Sequence, residues 1–115
     1  MNKDPIVFLK HIVESIDLIK EYTKQLKFFE FKDSIQLQDS IIRRLEIIGE
    51  AIKSLPKTLT GKYTDVPWRE IAGLRDVLIH QYFGIDLELT WEVIEKDIPE
   101  LEIKIKKIIE DLEKL

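Results

Sequence analysis

The chain contains no cysteine, and its 115 residues include only two histidines, four prolines and four glycines. Without cysteine there is no disulfide bond and no thiol nucleophile, and a structural zinc site is not expected. No apolar run approaches the roughly 20 residues needed to span a bilayer. The first residues do not resemble a signal peptide, so the sequence predicts a cytoplasmic protein without a membrane segment.

The charge balance is acidic, with 22 acidic and 18 basic residues and a formal net charge of −4. An acidic chain is a poor candidate for a protein that coats nucleic acid through a broad basic face, but it can hold a small local phosphate site. Hydrophobic residues make up 44% and charged residues 35%, which is typical of a folded globular protein. The length suits one domain, so we expect a single domain over residues 1–115.

Apolar residues recur at steps of three and four along the whole chain, which predicts helices. Five are expected: residues 4–27, residues 32–55, a motif-bearing helix from Pro67 to Gly84, a short helix capped by Asp86, and a last one starting at Pro99. Residues 56–65 are predicted to form a loop, and no segment is predicted to be a strand. Gly49, inside the second helix, indicates the close approach of another backbone. The fold class is therefore predicted to be an all-α helical bundle.

One stretch of the third helix gathers Arg75, Asp76, His80 and Tyr82 within eight residues, in the pattern Arg-x4-His-x-Tyr. A guanidinium binds phosphate through two parallel hydrogen bonds, and an imidazole can accept or donate a proton near neutral pH. Such a pair suits cleavage of RNA, because the 2′-hydroxyl of RNA is an internal nucleophile and the protein need only move a proton and stabilise charge.

The spacing of the motif sets a geometric condition. On an ideal helix Arg75 and His80 lie about 140° apart, whereas Asp76 and His80 share a face, which predicts a contact between the Asp76 carboxylate and the imidazole. A shared site then requires that the long Arg75 side chain reach around the helix, that the helix loosen near Gly84, or that a second copy complete the site across a symmetric dimer. The structural alternative is a buried network in which Arg75 pairs with Asp76 or a glutamate, and His80 with a backbone carbonyl.

A carboxylate pair one helical turn apart, Glu46 and Glu50, is the only other candidate for site chemistry. Such a pair can bind a metal ion, but no histidine accompanies it at the spacing found in carboxylate metal sites. We therefore expect no metal site and favour salt bridges between these glutamates and Arg43 or Arg44.

Four stretches of the chain resemble the HepT family, a branch of the HEPN (higher eukaryotes and prokaryotes nucleotide-binding) superfamily. They are Arg44–Ala51, Val66–Asp76, Ile79–Asp86 and Trp91–Pro99, and they occur in the same order and spacing as in that family. The resemblance implies an antiparallel HEPN-type bundle, a homodimer, and a metal-independent ribonuclease that needs no cofactor.

The resemblance also implies roles for individual residues. Arg75 and His80 would be catalytic, Asp76 would support them, and Tyr82 would receive AMP from a partner nucleotidyltransferase of the MntA type. The protein would then be the RNase toxin of a type VII-like toxin–antitoxin module. The alternative left open is a non-catalytic helical module that docks a nucleotidyltransferase or binds nucleotide.

Overall fold

The computed structural model describes residues 4–80 and 84–114. Within these two ranges there are eight α-helices and two short strands: α1 Pro5–Thr23, α2 Phe28–Lys32, α3 Ile35–Lys53, α4 Lys57–Lys62, α5 Trp68–Ala72, α6 Leu74–Leu78, β1 Ile79–His80, β2 Gly84–Ile85, α7 Leu87–Glu92 and α8 Ile98–Glu113. The predicted all-α class is confirmed. No helix in these two ranges is long and apolar enough to cross a membrane.

The three long helices α1, α3 and α8 form the body of the bundle, with α1 packed between the other two. Their apolar stripes meet in one core, whose fully or almost fully buried residues are Leu9, Ile12, Ile16, Ile19, Ile41, Leu45, Ile48, Leu101, Ile105 and Ile108. Capping side chains fix the starts of two helices: Asp4 accepts from Ile6 N at 3.0 Å, and Ser34 accepts from Leu37 N at 3.1 Å. The predicted stripes therefore identify these helices correctly.

The prediction of a last helix starting at Pro99 is confirmed to within one residue, since α8 begins at Ile98. The structure adds that α8 is joined to α7 by a π-helical turn, Val93–Asp97, and not by a loop. Ile98 N donates to Val93 O, five residues earlier. A proline inside an α-helix has no N–H to donate and crowds the carbonyl four residues before it. The wider π turn just before Pro99 lets the chain continue as a helix despite that proline.

Residues 56–65 are not the predicted loop, because α4 lies within them. Its residue Leu59 is buried, and the Trp68 indole donates to two carbonyls at the end of α4, Thr60 O at 3.1 Å and Tyr63 O at 2.9 Å. These bonds satisfy carbonyl groups that a helix end leaves without partners. Trp68, eight residues after Thr60, therefore stabilises helix α4. The local sequence, with Pro56 and Gly61, does not predict that helix.

The motif-bearing helix is shorter than predicted. It is interrupted at Gly73 and ends at Leu78, where the chain turns into β1. The Leu78 carbonyl accepts from Asp86 N at 2.8 Å, a bond to a residue eight positions later and not a bond of the helical pattern. The prediction that the chain has no strand is thus wrong at this point: β1 and β2 pair antiparallel, with His80 opposite Gly84.

Helix α5 packs closely on α3 at Gly49, as predicted. A Cβ atom at Gly49 would lie 2.8 Å from the carbonyl oxygen of Ala72, which is closer than real Cβ contacts. Because α5 continues into α6 after one residue, this contact places the start of the motif over α3.

Candidate active site

Arg75 lies on the exposed side of α6, and its guanidinium contacts two carboxylates. Its Nε is 3.5 Å from Glu46 Oε2 on α3, and its Nη1 is 3.5 Å from Asp76 Oδ1. The other oxygen of Glu46 accepts a hydrogen bond from Arg43. One carboxylate therefore bridges two guanidinium groups, Arg43 and Arg75, at the surface between α3 and α6.

The structural alternative predicted correct partners for Arg75, namely Asp76 and a glutamate, but its prediction that the network is buried is wrong. The Arg75 side chain is 45% exposed and that of Asp76 is 85% exposed. Exposed ion pairs stabilise a fold by only about 0–1 kcal/mol. Holding the fold together is therefore a weak explanation for this cluster, and its charged atoms are accessible to a ligand.

His80 ends β1, and its side chain is 51% exposed. The predicted contact with Asp76 is absent because α6 ends at Leu78, so His80 no longer lies one helical turn above Asp76. The imidazole faces a different acid: Nε2 is 3.8 Å from Oδ2 of Asp86, the residue that follows β2. The pairing of β1 with β2 brings these two side chains together.

A cleft of about 150 Å³ lies between α3 and the α5–α6 segment. Its lining residues are Glu46, Gly49, Glu50, Lys53, Ala72, Arg75 and Asp76. Arg75 and Asp76 thus share a cleft, whereas His80 is held at the adjacent strand pair and does not line it. Tyr82 lies outside the described residues.

The glutamates of this cleft are engaged by basic side chains. Glu46 binds Arg43 and Arg75, and Glu50 Oε1 lies 3.9 Å from Lys53 Nζ. The predicted salt bridge between Glu46 and Arg43 is confirmed. Within residues 4–80 and 84–114, no group of three or more His, Asp or Glu side chains is arranged to hold a metal ion.

A model of the family described as "Ribonuclease HepT-like" matches residues 12–108. The chain belongs to the HepT-like ribonuclease family. This confirms the resemblance drawn from the four sequence stretches. The match covers all of α3, most of α1 and α8, and the whole region from Glu46 to Asp86, so the exposed Arg75 and His80 lie inside the matched part of the chain.

Curated relatives agree with the HepT-like assignment. The chain is 56% identical over 114 residues to a Methanocaldococcus jannaschii protein named "Gamma-glutamylcyclotransferase and putative RNase". The match covers 99% of the chain but only about half (51%) of that relative's length. It is 45% identical over 108 residues to a "Putative RNase" of Caldanaerobacter subterraneus, covering 94% of the chain and 96% of the relative. A "Probable ribonuclease HepT" of Thermococcus cleftensis is 43% identical over 101 residues, covering 88% and 92%. No solved structure matches the chain.

Asp86 is the residue of this candidate site that sequence reasoning missed. It is predicted only as a helix cap, and that role is confirmed: Oδ1 accepts from Leu89 N at 3.0 Å. Its second oxygen, which faces His80, could not be inferred from spacing alone. Residues six apart, such as His80 and Asp86, do not share a face of a helix. Their side chains meet here because β1 and β2 pair antiparallel.

Proposed function

We propose that this chain is a metal-independent endoribonuclease in which Arg75 and His80 act on one phosphodiester of RNA. The observation that carries the proposal is the exposure of both motif side chains, each paired with a carboxylate, in a chain of the HepT-like ribonuclease family. We also propose that residues 1–115 form one helical domain, which is supported by a single core that runs from α1 to α8.

The reaction follows from the chemistry of RNA. His80 accepts the proton of the 2′-hydroxyl while the 2′ oxygen forms a bond to phosphorus. Arg75 stabilises the extra negative charge on the phosphorane. The bond from phosphorus to the 5′ oxygen then breaks, that oxygen takes a proton from a water molecule, and the hydroxide that remains takes back the proton held by His80, so that water and the neutral imidazole are both regenerated. The products are a 2′,3′-cyclic phosphate and a 5′-hydroxyl end, with no change in oxidation state and no other reactant.

Binding of RNA requires that Arg75 exchange partners. A phosphodiester of RNA offers two oxygens that share one negative charge, as a carboxylate does, so it can accept the same two parallel hydrogen bonds from the guanidinium. Both Arg75 contacts are 3.5 Å long, beyond the normal range of a strong hydrogen bond. A phosphate at bonding distance would therefore replace weak contacts with shorter ones, and Asp76 would support the site by orienting the guanidinium until RNA arrives.

We propose that the active form is a homodimer. Support comes from the separation of the two motif side chains: Arg75 lies at the α3–α6 cleft and His80 at the strand pair. It also comes from Val77, which is 55% exposed on the same short helix. A second copy packed on this apolar side chain would bring its own motif to the first, as a two-fold axis requires.

The cellular role that we propose is that of an RNase toxin paired with a nucleotidyltransferase antitoxin that adds AMP to Tyr82. This role rests on the family resemblance. The physical argument is the position of Tyr82, two residues after His80 in the sequence: a bulky anionic adduct there would repel the phosphates of RNA. Intact mass after expression with and without the neighbouring gene tests it, since AMP should appear on Tyr82 only on co-expression.

The test of the nuclease activity uses a short RNA and a matched substrate with a single 2′-deoxy nucleotide at the cleaved position. We expect the unmodified protein to cut the RNA, leave a 2′,3′-cyclic phosphate, and spare the 2′-deoxy substrate. Cleavage of both substrates would exclude attack by the 2′-hydroxyl. A protein that cuts neither, arrests no growth when expressed alone, yet receives AMP from the nucleotidyltransferase, would support the binding-module alternative.

A further inference from the structure

We propose that Asp86 is the positioning residue of His80. The carboxylate of Asp86 has two contacts: Oδ1 caps helix α7, and Oδ2 faces the imidazole Nε2 at 3.8 Å. The ring is thereby fixed with Nδ1 as the nitrogen that meets RNA. The orientation of the ring is argued from the geometry alone. Only its kinetic consequence rests on the proposed ribonuclease function.

Every polar group of Asp86 other than Oδ2 makes a hydrogen bond. Its backbone N–H donates to Leu78 O at 2.8 Å, and Oδ1 accepts from Leu89 N at 3.0 Å. Its carbonyl accepts from the hydroxyl of the fully buried Thr90 at 2.7 Å and from Thr90 N at 3.0 Å. Oδ2 is the remaining polar atom, and its direction is set by these bonds.

The backbone of His80 is fixed relative to Asp86 by the strand pair. His80 lies opposite Gly84, and the neighbouring pair is Ile79 opposite Ile85. Because Asp86 directly follows β2, its side chain emerges beside the imidazole. The 3.8 Å separation of Nε2 and Oδ2 is an ion-pair distance. A shortening of about 1 Å would make a charge-assisted hydrogen bond, and hydrogen bonds in catalytic sites commonly tighten when substrate binds.

The acid next to the motif arginine does not serve this purpose. Asp76 is 85% exposed and lies 3.5 Å from Arg75 Nη1. It therefore belongs to the guanidinium half of the site, and Asp86 to the imidazole half. Asp76 and Asp86 therefore contact different motif side chains, and the two acids can be altered independently.

The first test reads the ring of His80 directly. A carboxylate can only accept, so it favours the neutral tautomer with the proton on Nε2, whereas an amide side chain can present either an oxygen or an NH₂ group. We expect ring nitrogen chemical shifts at high pH to give one tautomer for His80 in the wild type and a mixture in Asp86→Asn. Asparagine is also a good N-cap, so helix α7 is retained.

The controls use features of the same chain. The exposed His11 is the only other histidine and gives a reference signal that Asp86→Asn should not change. Asp4→Asn makes the identical change at the cap of α1, where Oδ1 also accepts from a backbone N–H, and should leave His80 unaffected, as should Asp76→Asn. If Asp86→Asn does not fold, Asp86→Ser keeps a capping oxygen without the carboxylate.

The second test is kinetic. We expect Asp86→Asn to lower kcat for RNA cleavage at least about tenfold with KM unchanged, since misorientation of the ring affects the chemical step. In a His80→Ala background the same change should cost nothing further, because Asp86 acts through His80. Equal losses in both backgrounds would overturn the proposal, and so would unaltered His80 ring signals in Asp86→Asn. A wild type that does not cleave RNA would remove the ribonuclease proposal, while the ring signals would still decide the role of Asp86.

Discussion

The guanidinium of Arg75 lies 3.5 Å from the Glu46 carboxylate of the adjacent helix α3, and the second oxygen of that carboxylate binds Arg43. In the free protein a carboxylate thus occupies the place where the proposed function requires a phosphate. Glu46 keeps two guanidinium groups close together and oriented, and at the same time it competes with RNA for them.

The first prediction follows from this competition. Glu46→Gln should tighten binding of an uncleavable 2′-deoxy RNA analogue about two- to fivefold, because exposed ion pairs of this kind are worth about 0.2–1 kcal/mol. Fluorescence anisotropy of a labelled analogue gives the Kd, measured at one fixed salt concentration because phosphate binding depends strongly on salt.

Glu50→Gln is the matched control for Glu46→Gln. It removes the same charge from the same helix and the same cleft, but Glu50 pairs with Lys53 and not with Arg75. We expect a smaller gain in affinity from this variant. Equal gains would mean that net charge alone is responsible, and a loss of affinity in Glu46→Gln would mean that Glu46 orients the arginines for RNA.

The body of the fold is readable from the sequence because it depends on local periodicity. Residues such as Ile41, Leu45 and Ile48 step by four and three along α3 and are all buried. An amphipathic stripe of this kind has one stable solution, which is to face a shared core. Gly49 is readable for a similar reason, because a glycine within a long helix is costly unless it permits a close contact.

The end of α6 cannot be predicted from the sequence, because it depends on a contact across the strand pair. Leu74, Val77 and Leu78 continue a helical stripe, yet the helix stops where Leu78 O meets Asp86 N, and Val77 is exposed. This one displacement moves His80 off the face of Asp76 and opposite Asp86. The residue types of the site were therefore predictable, whereas the partner of the imidazole was not.

The second prediction concerns the contact that places the motif. Gly49→Ala should destabilise the protein by about 1–3 kcal/mol in denaturant unfolding, because the new Cβ would lie 2.8 Å from the backbone oxygen of Ala72. Neither atom can move aside without a shift of its helix. The gain in helix propensity, about 1 kcal/mol, offsets part of this cost.

Gly61→Ala makes the same substitution in helix α4, where a Cβ atom would meet nothing within 4 Å. Only the propensity gain remains there, so this variant should be more stable than the wild type by about 0.5–1 kcal/mol. If both variants gain stability, α5 does not pack on Gly49 as closely as described.

The third prediction concerns pH. Glu102 is 12% exposed and lies 3.0 Å from Lys20 Nζ and 3.2 Å from Lys106 Nζ. Burial alone would raise the pKa of Glu102, but hydrogen bonds and charges from the two lysines outweigh burial and lower that pKa below its ordinary value of 4.5. A folded-state pKa below the unfolded value means that ionised Glu102 stabilises the fold at neutral pH, and that this stability is lost as pH falls below about 4.5.

Glu102→Gln should therefore lower the free energy of unfolding at pH 7 by about 1 kcal/mol, and the difference from the wild type should shrink as the pH is lowered through 4 and below. Glu110→Gln serves as the comparison, because Glu110 and its partner Lys114 are both exposed and such a pair contributes little. A Glu102 effect that is constant from pH 7 to pH 3 would assign it to packing rather than to charge.

The last prediction separates catalysis from structure at His80. Because its side chain is half exposed and its one described polar contact is the 3.8 Å pair with Asp86, His80→Ala should change the free energy of unfolding by less than about 0.5 kcal/mol. Cleavage of RNA should fall by about 10²–10⁴-fold, the usual contribution of a positioned general base. His11→Ala, which removes the other histidine from the exposed face of α1, should retain full activity. Loss of 1–3 kcal/mol of stability in His80→Ala would indicate a structural imidazole, and a folded His80→Ala that still cuts RNA at the wild-type rate would exclude His80 as the base.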